Sequence, residues 1–187
     1  MQNTAGQLSG LSDTVFDEIA FGLINQGMGE EEAAKSVVRA ACQMGLEDLL
    51  EQAPDTLSGG QTQRLAIASE IAFDPEFLIM DDPTSQMDPV GRKEFFEWLA
   101  GCSEKTIFIV SNEVDDLCEI ADQLWVLEKG ELIASGKPLD VINQVAEGHD
   151  LYLPVVYRMA KELGKKLPSG LFPVKLSELK GCFDDQN

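Results

Sequence analysis

The sequence predicts an α/β fold preceded by a block of helices, and three observations support this. From residue 77 onward, short apolar runs alternate with helical stretches, the pattern of a parallel sheet covered by helices. Residues 12–52 show helical periodicity instead. The 187 residues are 44% hydrophobic and 25% charged, which is ordinary for a globular chain with a sizeable core.

The helical block is predicted to contain two helices. Ser12 or Asp13 is placed to cap the first helix, and Gly22 and Gly27 are expected to break it. A second helix is predicted from about Glu30 to Met44, because alanine and valine recur there at helical spacing. A proline-containing turn then leads out of the block.

The α/β part follows in a regular order. The predicted elements are a helix at Gln61–Phe73, a strand at Phe77–Met80, a helix at Pro89–Leu99, a strand at Thr106–Val110, a helix at Glu113–Ala121 and strands at Leu124–Leu127 and Glu131–Ala134. Glu128-Lys129-Gly130 is expected to join the last two strands as a hairpin. Beyond Gly136 lies a smaller segment, with helices predicted at Pro138–Val145 and Val155–Leu163 and a stretch punctuated by proline and glycine that ends in Val174–Leu179.

Charge and cysteine content narrow the class of function. A net charge of −19 argues against nucleic acid as a partner, because phosphate backbones require lysine and arginine patches. The four cysteines are scattered and the chain has one histidine, so neither a metal cluster nor a disulfide framework is expected. No apolar run approaches the ~18 residues that a membrane span requires. We expect a cytosolic protein with reduced thiols.

Leu57-Ser58-Gly59-Gly60-Gln61 is the first segment with chemical potential. It stands at a predicted helix start, where the partial positive charge and the glycine backbone favour binding of an anion. Ser58 adds a hydroxyl donor, and as an N-cap it would also satisfy the helix itself. Ser-Gly-Gly is equally a common turn, so this string alone leaves both interpretations open.

Asp81 and Asp82 form the second such segment. They directly follow the apolar run Phe77–Met80, so a predicted strand delivers two adjacent carboxylates. One carboxylate there can hold Mg²⁺, usually through water, and the next can orient or deprotonate an attacking water. The alternative is a buried strand with acidic residues at its exposed end.

Together these segments resemble the motifs of ABC ATPases. Leu57-Ser58-Gly59-Gly60-Gln61-x-Gln63-Arg64 matches the ABC signature without a gap, and Phe77–Asp82 followed by Pro83-Thr84-Ser85-x-x-Asp88 resembles the Walker B motif and D-loop. Gln2-Asn3 is similar to the Q-loop. Residues 14–22 and the tail from Gly148 resemble the cobalt and energy-coupling-factor (ECF) branch of ABC transporter ATP-binding subunits, so the resemblance runs along essentially the whole chain.

The resemblance implies a P-loop NTPase-like fold and a role for each motif residue. Ser58, Gly59, Gly60 and Gln61 would contact ATP, Asp81 and Gln2 would contact Mg²⁺, and Asp82, Asn112 and Gln2 would serve catalysis.

The resemblance also implies a domain organisation and partners. Residues 1–135 would form a partial ABC ATPase domain, with a helical subdomain at about 8–57 and the signature-to-switch region at 58–135, and residues 136–187 would form a C-terminal extension. The implied partners are a second ABC ATPase subunit and a transmembrane coupling subunit at the cytoplasmic face of the cell membrane, and the implied transport substrate is a vitamin or a metal ion.

The resemblance implies a nucleotide site shared by two subunits, in which one supplies the signature and the other the phosphate-binding loop and carboxylates. Three departures from the family pattern concern this chain's loop and carboxylate half. No part of the sequence matches the phosphate-binding pattern G-x-x-x-x-G-K-[ST]. The nearest string, Gly130 to Pro138, has one residue too many and lacks the hydroxyl. Asp82 replaces the usual catalytic glutamate and is one methylene shorter. Asn112 replaces the usual switch histidine, although an asparagine there also suits a helix N-cap.

Two hypotheses follow for the chain. It is either a truncated ATP-binding subunit that lends its signature motif to a partner's composite site, or a degenerate, non-hydrolysing member of an ATPase pair. In both cases we expect the isolated chain to bind no ATP at physiological concentration. We also expect its sheet to expose an apolar edge, and we expect His149, the single histidine, to be an exposed loop residue.

Overall fold

The computed structural model describes residues 8–149 and 151–184. The chain forms two compact units, a first unit that ends at Ser111 and a second that begins at Asn112. The first unit contains α1 (Val15–Asn25), α2 (Glu30–Gln43), α3 (Gly59–Ile71), β1 (Phe77–Asp81), α4 (Pro89–Ala100) and β2 (Thr106–Val110). The second contains α5 (Val114–Ile120), β3 (Leu124–Glu128), β4 (Glu131–Gly136), α6 (Pro138–Val145), α7 (Val155–Leu163) and α8 (Leu176–Asp184). The predicted domain division between residues 135 and 136 stays a prediction.

The helical core of the first unit is formed by α1, α2 and α3, whose inward side chains are apolar. Ile19 and Leu23 of α1, Val37 of α2 and Leu65 of α3 are fully buried. Burying each of these side chains contributes on the order of 1.5–3 kcal/mol to folding. This packing positions the start of α3, where the signature-like residues lie.

Two predictions about α1 are wrong. Its N-cap is Thr14, whose hydroxyl oxygen accepts from the backbone N–H of Asp17 at 3.0 Å, rather than Ser12 or Asp13. Gly22 lies inside the helix and does not break it. A β-carbon at Gly22 would lie 2.7 Å from Cζ of Phe73, so the glycine leaves room for this ring to pack against α1.

The strands β1 and β2 pair in parallel, with Leu78 beside Ile107 and Ile79 beside Phe108. One face of this sheet buries Leu78 and Met80. The opposite face leaves Phe77, Ile79, Phe108 and Val110 exposed, with Ile79 at 69%. A whole sheet face is therefore apolar and exposed, and the predicted apolar edge stays a prediction. Side-chain alternation along both strands explains the exposed face, because every second apolar residue points to it.

The third predicted strand does not extend the parallel sheet. Within the described ranges, β3 pairs only with β4, and the pairing is antiparallel. Lys129 and Gly130 have φ values of +52° and +86°. A two-residue turn with positive φ at both positions matches the twist of a hairpin, so the predicted hairpin is confirmed.

The second unit has its own core around Cys118, Ile142, Tyr157 and Val174. The Asn143 side chain fastens the loop before α8 to α6, because it both donates to and accepts from the backbone of Phe172 at 2.9 Å. The predicted helices at 138–145 and 155–163 are confirmed. In the described part of the chain, none of the helices combines the length and the apolarity needed to cross a membrane.

Candidate functional site

The start of α3 is built as a reciprocal capping box. The Ser58 hydroxyl oxygen accepts from the Gln61 backbone N–H at 3.3 Å, and Gln61 Oε1 accepts from the Ser58 backbone N–H at 2.8 Å. The predicted capping role of Ser58 is confirmed. The other amides of the first helical turn have no acceptor within the helix, which makes such a terminus suitable for an anion.

Gly59 and Gly60 lie against the segment that follows β1. A β-carbon at Gly59 would lie 3.0 Å from Oε1 of Gln86, and one at Gly60 would lie 3.0 Å from the backbone oxygen of Gln86. These distances are shorter than almost all real β-carbon contacts. Gly60 is therefore favoured by packing against the backbone, independently of any ligand, whereas the neighbour of Gly59 is the end of a flexible side chain.

An open cavity of about 320 Å³ lies between the α3 start and this following segment. Among the described residues that line it, the one basic side chain is Arg64, whose Nη1 lies 3.7 Å from Oε2 of Glu94. The one acidic side chain in that lining is Asp88, which caps α4 by accepting from the Gly91 backbone N–H at 2.7 Å. The cavity is lined by Ser58, Gly59, Gly60, Gln61, Arg64, Gln86, Met87, Asp88 and Gly91.

Asp81 and Asp82 lie where the sequence predicts them, at the carboxyl end of β1. Asp81 is the last residue of the strand and is exposed, whereas Asp82 is half-buried. Asp82 has a φ of +48°, and its backbone N–H donates to the carbonyl of Val110 at 2.7 Å. Aspartate is one of the few residues that tolerate this left-handed conformation. Among the described residues, no three histidine, cysteine, aspartate or glutamate side chains are grouped as metal ligands.

Two further predicted site residues are Gln2 and Asn112. Gln2 lies outside the described residues. Asn112 lies two positions after the end of β2 and belongs to the second unit. The N-cap of α5 is Glu113, one position later, so the predicted cap at Asn112 is wrong. The Asn112 carbonyl instead accepts from the Val114 backbone N–H at 2.9 Å, a turn that shifts the helix start.

The single histidine is better anchored than predicted. Nδ1 of His149 lies 3.0 Å from Oε2 of Glu128, and both side chains are half-buried. His149 is therefore tied to the end of β3 and is not a freely exposed loop residue. Gly130 lies in the hairpin turn and Pro138 begins α6, so the string between them does not form a phosphate-binding loop.

Sequence reasoning missed the role of Gln63. Its side chain is only 5% exposed and bonds to the backbone of both Asp82 and Gln86. The available signal was a polar residue among the apolar positions of α3. The partners, 19 and 23 residues further along the chain, could not be read from local sequence.

Comparison with known proteins matches this geometry to one class. The family model described as ABC transporter matches residues 4–85.

Solved structures that share the fold include two ABC ATPases. One is cbiO1 from Clostridium perfringens, described as part of the ABC transporter complex cbiONQ, with 29% identity, a TM-score of 0.68 and coverage of 89% of this chain and 62% of that one. The other is the dimeric structure of MJ0796, a bacterial ABC transporter cassette, with 26% identity, a TM-score of 0.63 and coverage of 70% and 59%. The chain therefore matches an ABC transporter domain over residues 4–85 and shares the P-loop NTPase-like fold of these ABC cassettes.

The curated relatives define the branch. The chain is 37% identical over 174 residues to the energy-coupling factor transporter ATP-binding protein EcfA2 of Streptococcus pneumoniae, covering 90% of this chain and 62% of that protein. It is 39% identical over 167 residues to EcfA1 of Mycoplasma mobile, covering 87% and 60%. The predicted resemblance to the ECF branch is confirmed, and the chain spans about three fifths of the length of these relatives.

Proposed function

We propose that the chain acts in the ATP-binding subunit of an ECF-type ABC importer and lends its signature motif to the nucleotide site of a second ABC ATPase subunit. The observation that carries this proposal is the cavity at the capped start of α3, lined by Ser58, Gly59 and Gly60. The chain's similarity to ECF ATP-binding proteins supports it.

The signature residues would act on the phosphates of ATP held by the partner subunit. The backbone N–H groups at the start of α3 and the positive end of the helix favour phosphate oxygens. The Ser58 hydroxyl can donate to the same group while its oxygen continues to accept from Gln61. Arg64, which lines the cavity, adds positive charge on that side.

The carboxylates would serve the chain's own half of the site. Mg²⁺ neutralises charge on the transferred phosphate when it is bound with ATP. The exposed Asp81 suits a hard cation held through water, and Gln2 is the second proposed contact. Asp82, with Gln2 and Asn112, would orient the attacking water. Asp82 reaches one methylene less far than glutamate, and a displacement of about 1 Å can lower the rate ~10²-fold.

The proposal extends to partners and location. The subunit would pair with a second ABC ATPase subunit and bind a transmembrane coupling subunit at the cytoplasmic face of the membrane. Its transport substrate would be a vitamin or a metal ion. Nucleic acid is not a proposed partner, because the net charge is −19.

The second candidate function is a degenerate partner that pairs without hydrolysing ATP at its own site. Asp82 and Asn112 favour it, because an amide cannot carry the positive charge available to a switch histidine. The variants D82E and N112H, combined in the full-length subunit, separate the two candidates. A large gain in ATP turnover supports degeneracy, whereas wild-type turnover already normal for the family contradicts it.

A complementation assay tests the lending of the signature. The chain is mixed with an ECF ATPase that has an intact phosphate-binding loop and an inactivated signature, and MgATP hydrolysis is followed. Wild-type chain should restore turnover and Ser58→Asp should not, because a carboxylate would face the phosphate. The Glu70→Gln variant, on the exposed side of α3, is the control. No stimulation by the wild-type chain, or equal stimulation by Ser58→Asp, would overturn the proposal.

A further inference from the structure

Gln63 bridges the signature helix and the segment after the paired carboxylates. Its Nε2 donates to the carbonyl oxygen of Asp82 at 3.1 Å, and its Oε1 accepts from the backbone N–H of Gln86 at 2.9 Å. Nε2 also lies 3.5 Å from Oγ of Ser85. Both ends of one buried amide are thus used on a single segment.

The bond to Asp82 restrains a backbone that is costly to maintain. Left-handed φ is less favourable than the ordinary regions even for aspartate, which tolerates it better than most residues, and it is held in place by the surrounding structure. The Asp82 N–H is held by the Val110 carbonyl, and the Asp82 carbonyl is held by Gln63. The same carbonyl also accepts from the Ser85 backbone N–H at 3.3 Å. Gln63 is therefore one of the anchors that set the direction in which the Asp82 carboxylate leaves the chain.

The same segment also rests on the signature glycines. The Gln86 backbone oxygen would lie 3.0 Å from a β-carbon at Gly60, and the Gln86 N–H is bound by Gln63. A shift of residues 82–86 must therefore break bonds to Gln63 or press on Gly60. Close-packed contacts of this kind move as a unit and do not deform independently.

We propose that Gln63 is a positioning residue that couples the two halves of the site. It fixes the Asp82 backbone relative to Ser58–Gly60, so that contact of nucleotide with the signature changes the placement of this chain's own carboxylates. This inference rests on the proposed function for its catalytic meaning. The coupling itself is a property of the chain alone.

Hydrogen exchange of the nucleotide-free chain tests the coupling directly. Gln63→Met removes both hydrogen bonds at similar volume, and Glu70→Gln on the same helix is the control. We expect amides of residues 82–88 and 59–62 to exchange at least ~10-fold faster in Gln63→Met, with α1 and α2 unchanged. A single lost hydrogen bond of about 1.4 kcal/mol corresponds to tenfold. Faster exchange throughout the first unit, or none at residues 59–62, would overturn the inference.

The Gln63→Glu variant adds a second test, because its two hydrogen bonds should be restored when the introduced carboxyl is protonated. An ionised carboxylate accepts from Gln86 but repels the Asp82 carbonyl, whereas the protonated acid can make both bonds. Burial raises the pKa of such a carboxyl. Relative to intrinsic rates, exchange at 82–88 should therefore be fast at pH 8 and approach the wild-type value near pH 6. The absence of this pH dependence would count against the inference.

The complementation assay gives the catalytic readout. In this assay ATP is hydrolysed at the partner's site, so Gln63→Met can act only by displacing Ser58–Gly60 of the signature. It should lower kcat at least ~10-fold with little change in KM for MgATP, because a displaced group stabilises the transition state less well. If the wild-type chain supports no turnover, the proposed function fails and hydrogen exchange still decides the coupling. If turnover needs Ser58 but is unaffected by Gln63→Met, the coupling inference alone fails.

Discussion

Gly60 and Gln86 are in direct backbone contact across the candidate site. A β-carbon at Gly60 would lie 3.0 Å from the Gln86 carbonyl oxygen and 3.5 Å from Cα of the next residue, Met87. This glycine is thus needed by the protein's own structure, in addition to the close approach to phosphate that the signature motif implies. Mutational effects at Gly60 must be separated into these two parts.

Gly60→Ala should displace the 86–87 backbone, and Gly181→Ala provides a matched control. Alanine is favoured over glycine in a helix by up to about 1 kcal/mol. Gly181 lies within α8 and an added β-carbon meets nothing within 4 Å, so Gly181→Ala should slow amide exchange in that helix. Gly60→Ala should give no such gain in α3 and should accelerate exchange at residues 86–88. Equal stabilisation by both variants would contradict the packing role.

Ser58 variants should rank differently for stability and for hydrolysis. Ser58→Ala removes the cap of α3 and should cost about 1 kcal/mol, whereas Ser58→Asp keeps a capping side chain and should cost little. In the complementation assay the order should reverse, because the carboxylate introduced by Ser58→Asp repels phosphate and alanine only removes a donor. Thr14→Ala, which removes the cap of α1, controls for loss of stability without loss of function. The same order in both measurements would refute the phosphate-facing role.

Local pattern predicted the elements whose signals lie within them. The strand at 106–110 agrees with the structure because it is a short continuous run of β-branched and aromatic residues. The helices at 138–145 and 155–163 agree because apolar periodicity and flanking prolines or glycines define them. The cap of α1 failed for a different reason. Ser12, Asp13 and Thr14 are all capping residue types, and only the packed position of the helix selects Thr14.

Some residues of the candidate site could likewise be predicted from local sequence and others could not. Ser58 as a cap and Asp81 at a strand end could be predicted because helix starts and strand ends are local features. Gln63 could not, since its two partners come from a loop that folds back over α3. Gly22 is a similar case, because its reason is the ring of Phe73, 51 positions away.

The ion pair of Lys105 and Asp74 should give a pH-dependent contribution to stability. Lys105 Nζ lies 2.7 Å from Asp74 Oδ1 and 2.9 Å from the Pro75 carbonyl oxygen. The hydrogen bond and charge of Lys105 hold the pKa of the Asp74 carboxyl below its usual value of 3.8. The contribution is therefore complete above the unfolded-state pKa and is lost as pH falls through the lower folded-state pKa.

The matched variant for this pair is Asp74→Asn, because asparagine also tolerates the φ of +51° at this position. Asp74 is largely exposed, so the pair should contribute no more than about 0.5 kcal/mol at pH 7. In Lys105→Met the Asp74 carboxyl, followed by carbon-13 NMR, should titrate at higher pH than in the wild type. An unchanged titration would show that Lys105 does not cause the lowered pKa.

Cys118 should resist thiol reagents while the protein is folded. Its side chain is fully buried in the core of the second unit, and burial, with the charges of Asp115 and Glu119, raises the pKa of the thiol to about 12. Only about 1 thiol in 10⁴ would then be ionised at pH 8, and the thiolate is the reactive form. Cys42 is exposed and serves as the internal control. Maleimide labelling read by peptide mass spectrometry should modify Cys42 within minutes and Cys118 only in denaturant. Comparable labelling of both in buffer would show that the second unit opens readily in the isolated chain.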